Sequence, residues 1–197
     1  MPLSELLALL AAGKPLGGRL AITFDDGYLD NYEFAAPELE RRGMTASFFV
    51  CSGFIGTQRV PVWDAERGIR SRWMTWDMVR DLHRRGFEIG VHTARHVDLG
   101  QIAQDEARDE IEESRQEIEQ NLGAPATLFC YPFGRRWHLH EANRQVVKSM
   151  GFACCMGSYG GTIGRGDDPH RLQRAPVHPW HLSPYQYGLE LLFNRPG

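Results

Sequence analysis

Short apolar runs alternate with segments of helical period along most of the chain. Residues 20–24, 45–51, 86–91, 128–131 and 152–156 read as strands, and 45–51 is apolar on both sides, as a parallel strand covered by helices should be. Ser4 is placed to cap a first helix running to Ala12 and closed by Gly13. Residues 31–42 carry Tyr32, Ala35, Ala36 and Leu39 at helical spacing and stop at Gly43. Thr75 caps a helix through Trp76, Val79, Leu82 and His83. Residues 104–121 form a strongly charged helix with one narrow stripe, Ala107, Ile111, Ser114 and Ile118, and its acidic face is read as solvent-facing. Residues 141–150 make a further helix. Residues 52–72, with three glycines, Pro61 and Trp63, fit no single element and read as a loop near a site mouth. Repeated strand-helix alternation predicts a (β/α) barrel or a related parallel α/β layer.

Composition narrows this to one ordinary domain. With 197 residues, 42% hydrophobic and 24% charged, the chain is large enough for a real core, and 1–197 is read as a single catalytic domain. A formal charge of -3 and a pI near 6.2 give no electrostatic case for nucleic acid. No apolar run has the length of a membrane span. Residues 6–12 are apolar but short, follow Glu5 and lack a basic start, so they make a poor signal peptide. A cytoplasmic location is expected unless a leader was removed before Met1. Cys51, Cys130, Cys154 and Cys155 show no disulfide-framework spacing, which predicts buried free thiols in a reducing compartment, with Cys130 near the site through Tyr131. Their apolar surroundings raise a thiol pKa and argue against a cysteine nucleophile.

The chemistry concentrates at two strand ends. Thr23-Phe24-Asp25-Asp26-Gly27-Tyr28 joins a strand to a turn with two adjacent carboxylates, which point differently because side chains alternate along extended chain. His92-Thr93-Ala94-Arg95-His96 follows the strand at 86–91, and its histidines, four apart, are expected on one side of a helical turn. Alone, either motif is explained by an acidic turn or a solvated helix face. Together at strand ends they predict a metal held by Asp26, His92 and His96, open to a water, with Asp25 as general base.

Thr-Phe-Asp-Asp-Gly-Tyr followed by His-Thr-x-x-His resembles the polysaccharide deacetylase family, that is, the NodB homology domain or carbohydrate esterase family 4. The resemblance covers roughly residues 18 to 180 and extends to Met74-Thr75-Trp76-Asp77, Leu122-Gly123, Tyr131-Pro132-Phe133-Gly134 and Leu172-Gln173-Arg174. It implies a distorted (β/α) barrel with fewer than eight units. It also implies a metal-dependent hydrolase that removes acetyl groups from N-acetylated carbohydrate. Zinc is the foremost candidate for the divalent ion, and cobalt, nickel or iron would suit two histidines and a carboxylate as well. Two alternatives stay open: an amidase on a non-sugar substrate such as a cyclic imide, and a carbohydrate-binding relic without turnover.

Four further assignments complete the expected site. Tyr131, Pro132 and Phe133 place aromatic surface at a strand end, suited to sugar rings, although Tyr131 stands where many family members have arginine. The resemblance implies that backbone amides near Tyr131 stabilise an oxyanion. Arg174 matches an arginine that the resemblance places beside the catalytic aspartate, holding it ionised. The family's usual acid sits in a Leu-x-His pattern that is missing near this end, which leaves His178, with His181 behind it, as the substitute. Trp180 is a candidate for stacking on sugar, while His138, His140 and His170 read as solvated.

Overall fold

A computed structural model describes residues 1–177 and 183–193. Five parallel strands, β1 (Thr23–Phe24), β2 (Ser47–Val50), β3 (Glu88–Val91), β4 (Leu128–Cys130) and β5 (Cys154–Met156), pair in sequential order. Around them run α1 (Leu3–Ala11), α2 (Ala36–Arg41), α3 (Val62–Ala65), α4 (Trp76–Arg84), α5 (Gln104–Leu122), α6 (Glu141–Ser149) and α7 (Pro184–Phe193). The sheet curls into a half-barrel, so the expected distorted (β/α) barrel with fewer than eight units is the fold observed. Among the described residues no helix is long and apolar enough to cross a membrane.

Alternation along the strands splits the core into two clusters. Phe48, Val50, Ile89, Val91 and Phe129 face the helix layer, where Leu39, Leu82, Ile111, Ile118 and Val147 meet them. Phe49, Leu128, Cys130, Cys154 and Met156 point the other way, against Leu3, Leu7 and Leu10 of α1. A side chain at position 90 would put its Cβ 2.5 Å from the Phe49 ring, so glycine there is what lets Phe49 fill the inner layer. Truncating a fully buried phenylalanine of this kind costs about 3–5 kcal/mol.

Several local expectations change. The first strand is Thr23–Phe24, not 20–24, and Leu20 is exposed. Helix α1 starts at Leu3 with Ser4 inside it; its N-terminus is capped by Glu88, which accepts from Leu3 N at 2.8 Å and Ser4 N at 3.0 Å and also from Ser47 Oγ at 2.6 Å. A carboxylate from another element satisfies orphan amides as well as a local cap does. Residues 31–42 are not one helix: Asn31–Ala35 is π-helical and only then does α2 begin. Thr75 caps α4 as expected, accepting from Met78 N at 3.3 Å. The acidic face of α5 has one buried member, Glu110, turned inward by a basic partner described below.

Candidate active site

Both predicted motifs lie at the carboxyl ends of the strands, where parallel α/β folds hold their ligands. Asp25 and Asp26 follow β1, and Asp26 has a left-handed backbone, φ 73°. Its carbonyl accepts from Cys51 N at 3.1 Å, and Gly27 O accepts from Met74 N at 3.0 Å, so the turn is tied on both sides. Gly27 has φ 95°, a backbone that other residues rarely adopt, and Ile55 Cδ1 would have to move from 2.8 Å to admit a Cβ there. His92 follows β3, with its amide donating to Val50 O at 3.2 Å.

The histidines do not share a helical turn. Thr93 and His96 have φ of 63° and 56°, and the segment between them is an irregular loop. Glu110 of α5 braces it: its carbonyl accepts from Ala94 N at 3.0 Å, its carboxylate accepts from Arg95 N at 2.9 Å, and it pairs with the Arg95 guanidinium. Among the described residues, the non-glycine positions with left-handed φ are Asp26, Thr93, His96 and Phe133. Such backbones cost of order 1–3 kcal/mol each and persist where surrounding structure over-determines them. Here that strain is gathered around one point.

Asp26 Oδ1 lies 3.4 Å from His92 Nε2 and 3.3 Å from His96 Nε2, and the three ligand atoms fall within 4.8 Å of one another. Asp26 Oδ1 is buried without a hydrogen-bond partner, an arrangement that is costly for a carboxylate and that a cation relieves. His92 Nδ1 sits 2.8 Å from Cys130 O; a carbonyl only accepts, so a proton belongs on Nδ1 and Nε2 is the nitrogen turned to Asp26, and although burial lowers the His92 pKa, Cys130 and Asp26 carry it well above the usual imidazole value. Burial, then the neighbouring His92, holds the His96 pKa down to about 4. A neutral imidazole is what a metal requires. The donor set therefore fits a divalent transition ion.

Asp25 lies outside that ligand group and is held by Arg174. Arg174 Nη1 donates to Asp25 Oδ1 and Nη2 to Oδ2, each at 2.7 Å, while Nη1 also reaches Thr23 Oγ1 at 2.8 Å and Nε reaches Gly157 O at 3.2 Å. Cys130 Sγ lies 2.7 Å from Nη2, so the thiol adjoins the site directly rather than through Tyr131. Burial pushes the Asp25 pKa up, but the Arg174 charge and hydrogen bonds, with His92 and His96, bring it down to about 2. All four cysteines are free and buried.

The third motif is arranged differently from expectation. Tyr131 offers no ring to the site: it is 1% exposed and packs edge-on against Phe129, because alternation turns it into the helix-side core. Its amide is also committed, donating to Met156 O at 3.0 Å, and Gly134 N donates to Pro132 O, so Phe133 N–H is the motif's remaining donor for an oxyanion. Pro132 is buried, whereas Phe133 is 44% exposed with its ring 4.5 Å from that of His96. His138 is not solvated, since it lies 3.7 Å from Asp98 and accepts from Arg135 N. His170 is likewise engaged, 2.9 Å from Phe152 O. His178, Trp180 and His181 lie outside the described residues.

Sequence reasoning missed Trp63 and Glu110. Trp63 comes from α3, within the segment read as a loop near the mouth, and its ring lies 4.5 Å from that of His96. Neither belongs to a pattern: Glu110 is one of many acids on α5, and Trp63 lies in irregular sequence.

The family model described as polysaccharide deacetylase matches residues 12–155, and the chain belongs to that family. YxkH of Bacillus subtilis (strain 168), which bears a polysaccharide deacetylase name, is 26% identical over 178 residues, 90% of this chain. The chain spans 58% of that relative's length. The fold is shared with the Streptococcus pyogenes deacetylase PplD, solved with acetate, at a TM-score of 0.79 and 21% identity over 97% of this chain and 78% of that one. It is shared too with the BpsB deacetylase domain of Bordetella bronchiseptica, at a TM-score of 0.75 and 17% identity over 89% and 77% of the two chains.

Proposed function

We propose that this chain is a metal-dependent hydrolase that removes acetyl groups from N-acetylated carbohydrate. The observation that carries the reading is the convergence of Asp26 Oδ1, His92 Nε2 and His96 Nε2 within 4.8 Å, beside a separate carboxylate, Asp25, that Arg174 keeps ionised. Asp26, His92 and His96 would hold a divalent ion, zinc foremost. When bound, such an ion supplies Lewis acidity for the acetyl carbonyl and for water.

The chain's own groups do the rest. Asp25 accepts the proton of the attacking water; with a resting pKa of about 2 it is a weak base, so it depends on that water being acidified. Phe133 N–H donates to the developing oxyanion, and the exposed Phe133 face lies along the sugar. His178 is assigned the protonation of the leaving amine. Carbohydrate is the partner this chemistry calls for, and the intact base, Asp25, with the three ligands Asp26, His92 and His96, favours turnover over a relic that only binds.

Acetate release from a panel of N-acetylated oligosaccharides, measured before and after chelation and again after adding back zinc, cobalt, nickel or iron, tests the reading. Loss on chelation with recovery on one of these ions is expected. Unimpaired release by metal-free protein would overturn metal dependence. Turnover of a cyclic imide but of no sugar would reassign the substrate, and sugar binding without release would favour the relic.

A further inference from the structure

The two histidines of the cluster are held in different ways. A metal-ligating imidazole ordinarily donates its second N–H to a carboxylate, a carbonyl or water, which fixes the ring and its tautomer. His92 follows this pattern through Cys130 O. His96 does not: its Nδ1 is buried and has no hydrogen-bond partner among the described residues. Its ring is instead contacted by two aromatic side chains on adjacent sides. The Trp63 and Phe133 centroids each lie 4.5 Å from the His96 centroid, and 6.3 Å from one another, so they meet the imidazole from directions about at a right angle.

Both aromatic residues are themselves held in place. Trp63 Nε1 donates to Tyr28 Oη at 2.9 Å, and Tyr28 Oη donates to the buried Asp64 at 2.7 Å, which Ser71 Oγ also contacts. The Tyr28 ring stacks on Trp73, 4.5 Å away. This chain begins two residues after Asp26, so one network fixes both the carboxylate turn and the indole that flanks the imidazole. Phe133 keeps a left-handed backbone, φ 60°, although its ring is 44% exposed. Core packing gives no reason for such strain, and contact with His96 does.

We propose that Trp63 and Phe133 are positioning residues for His96, an aromatic clamp that takes the place of the missing Nδ1 hydrogen bond and sets the affinity of the site for its ion. The inference rests on the metal-site reading above. The clamp freezes ring rotation by shape rather than by polarity, and it walls water away from one ligand. Tyr28 acts one step further out, by orienting Trp63.

Zinc affinity of the chelator-stripped full chain, measured by competition with a chromophoric chelator, tests this without recourse to turnover. Trp63→Ala and Phe133→Leu should each bind zinc about 10- to 100-fold more weakly than wild type, the usual effect of losing a group that orients a ligand. Trp63→Phe, which restores a ring, should recover most of that loss, and Tyr28→Phe should show a smaller loss than Trp63→Ala. Circular dichroism of each variant confirms that the fold is kept; if Trp63→Ala does not fold, Phe133→Leu and Tyr28→Phe carry the test. Wild-type affinity in the folded variants would overturn the clamp while leaving the metal site intact. A wild-type chain that binds none of zinc, cobalt, nickel or iron would overturn both.

Discussion

Arg174 and Asp25, 149 positions apart in the sequence, meet through two parallel hydrogen bonds of 2.7 Å each. A forked guanidinium-carboxylate pair fixes direction as well as charge. It engages both oxygens of Asp25, whereas the neighbouring Asp26 falls in the group with His92 and His96.

The pair sets a pH dependence with a definite sign. Burial alone would raise the Asp25 pKa above 3.8; Arg174 reverses this and brings it to about 2. In Arg174→Gln the opposing cation is gone, the pKa rises, and the basic form of Asp25 is depleted at mildly acidic pH. The acid limb of kcat/KM for acetate release should therefore move upward, with activity at pH 5 falling more than activity at pH 8. Superimposable profiles would contradict this role. The same depressed pKa makes the pair stabilising above about pH 4, with that contribution lost as pH falls through about 2.

Glu88 stands at the start of β3, the opposite end from His92, and accepts from Leu3 N, Ser4 N and Ser47 Oγ. Glu88→Ala should cost about 1–3 kcal/mol, the combined scale of a lost helix cap and an orphaned hydroxyl, with acetate release unaffected. Thermal unfolding followed by circular dichroism reads this as a lower Tm. An unchanged Tm would mean that water replaces the carboxylate at no cost.

The Glu88 cap also marks the limit of what the sequence discloses. The five strands, the alternation of β and α, the Thr75 cap and the buried stripe of α5 follow from local period and capping chemistry, which are written in adjacent residues. Partners supplied from afar are not: Ser4 looks like a cap, yet the cap is Glu88. At the site, Asp25, Asp26, His92 and His96 were legible because each pair is contiguous or closely spaced. Their arrangement was not, since His-x-x-x-His suggests a helical turn and the chain forms a strained loop held by Glu110. Tyr131 was misread because a short strand gives too few positions to tell which face a terminal aromatic takes. Trp63 reaches His96 from irregular sequence with no period to follow.

His178 is assigned by sequence to protonate the leaving amine. An amine is too basic to depart unprotonated, whereas a phenol from an activated acetate ester is not. His178→Ala should therefore reduce N-acetyl sugar hydrolysis far more than ester hydrolysis, with metal content unchanged, and should weaken the alkaline limb of the amide profile. Equal losses on both substrates would indicate a folding or positioning role. No loss on either would remove His178 as the acid.

The division of labour between Asp25 and Asp26 is the centre of the account, and paired measurements of metal content and acetate release in Asp25→Asn and Asp26→Asn test it most directly. Asp25→Asn should keep about one metal ion per chain and lose turnover by about 100- to 10,000-fold, the range of a general-base contribution. Asp26→Asn should lose most of the metal and the activity together. An Asp25→Asn variant that releases acetate at the wild-type rate, or an Asp26→Asn variant that keeps its metal, would contradict the roles assigned to them.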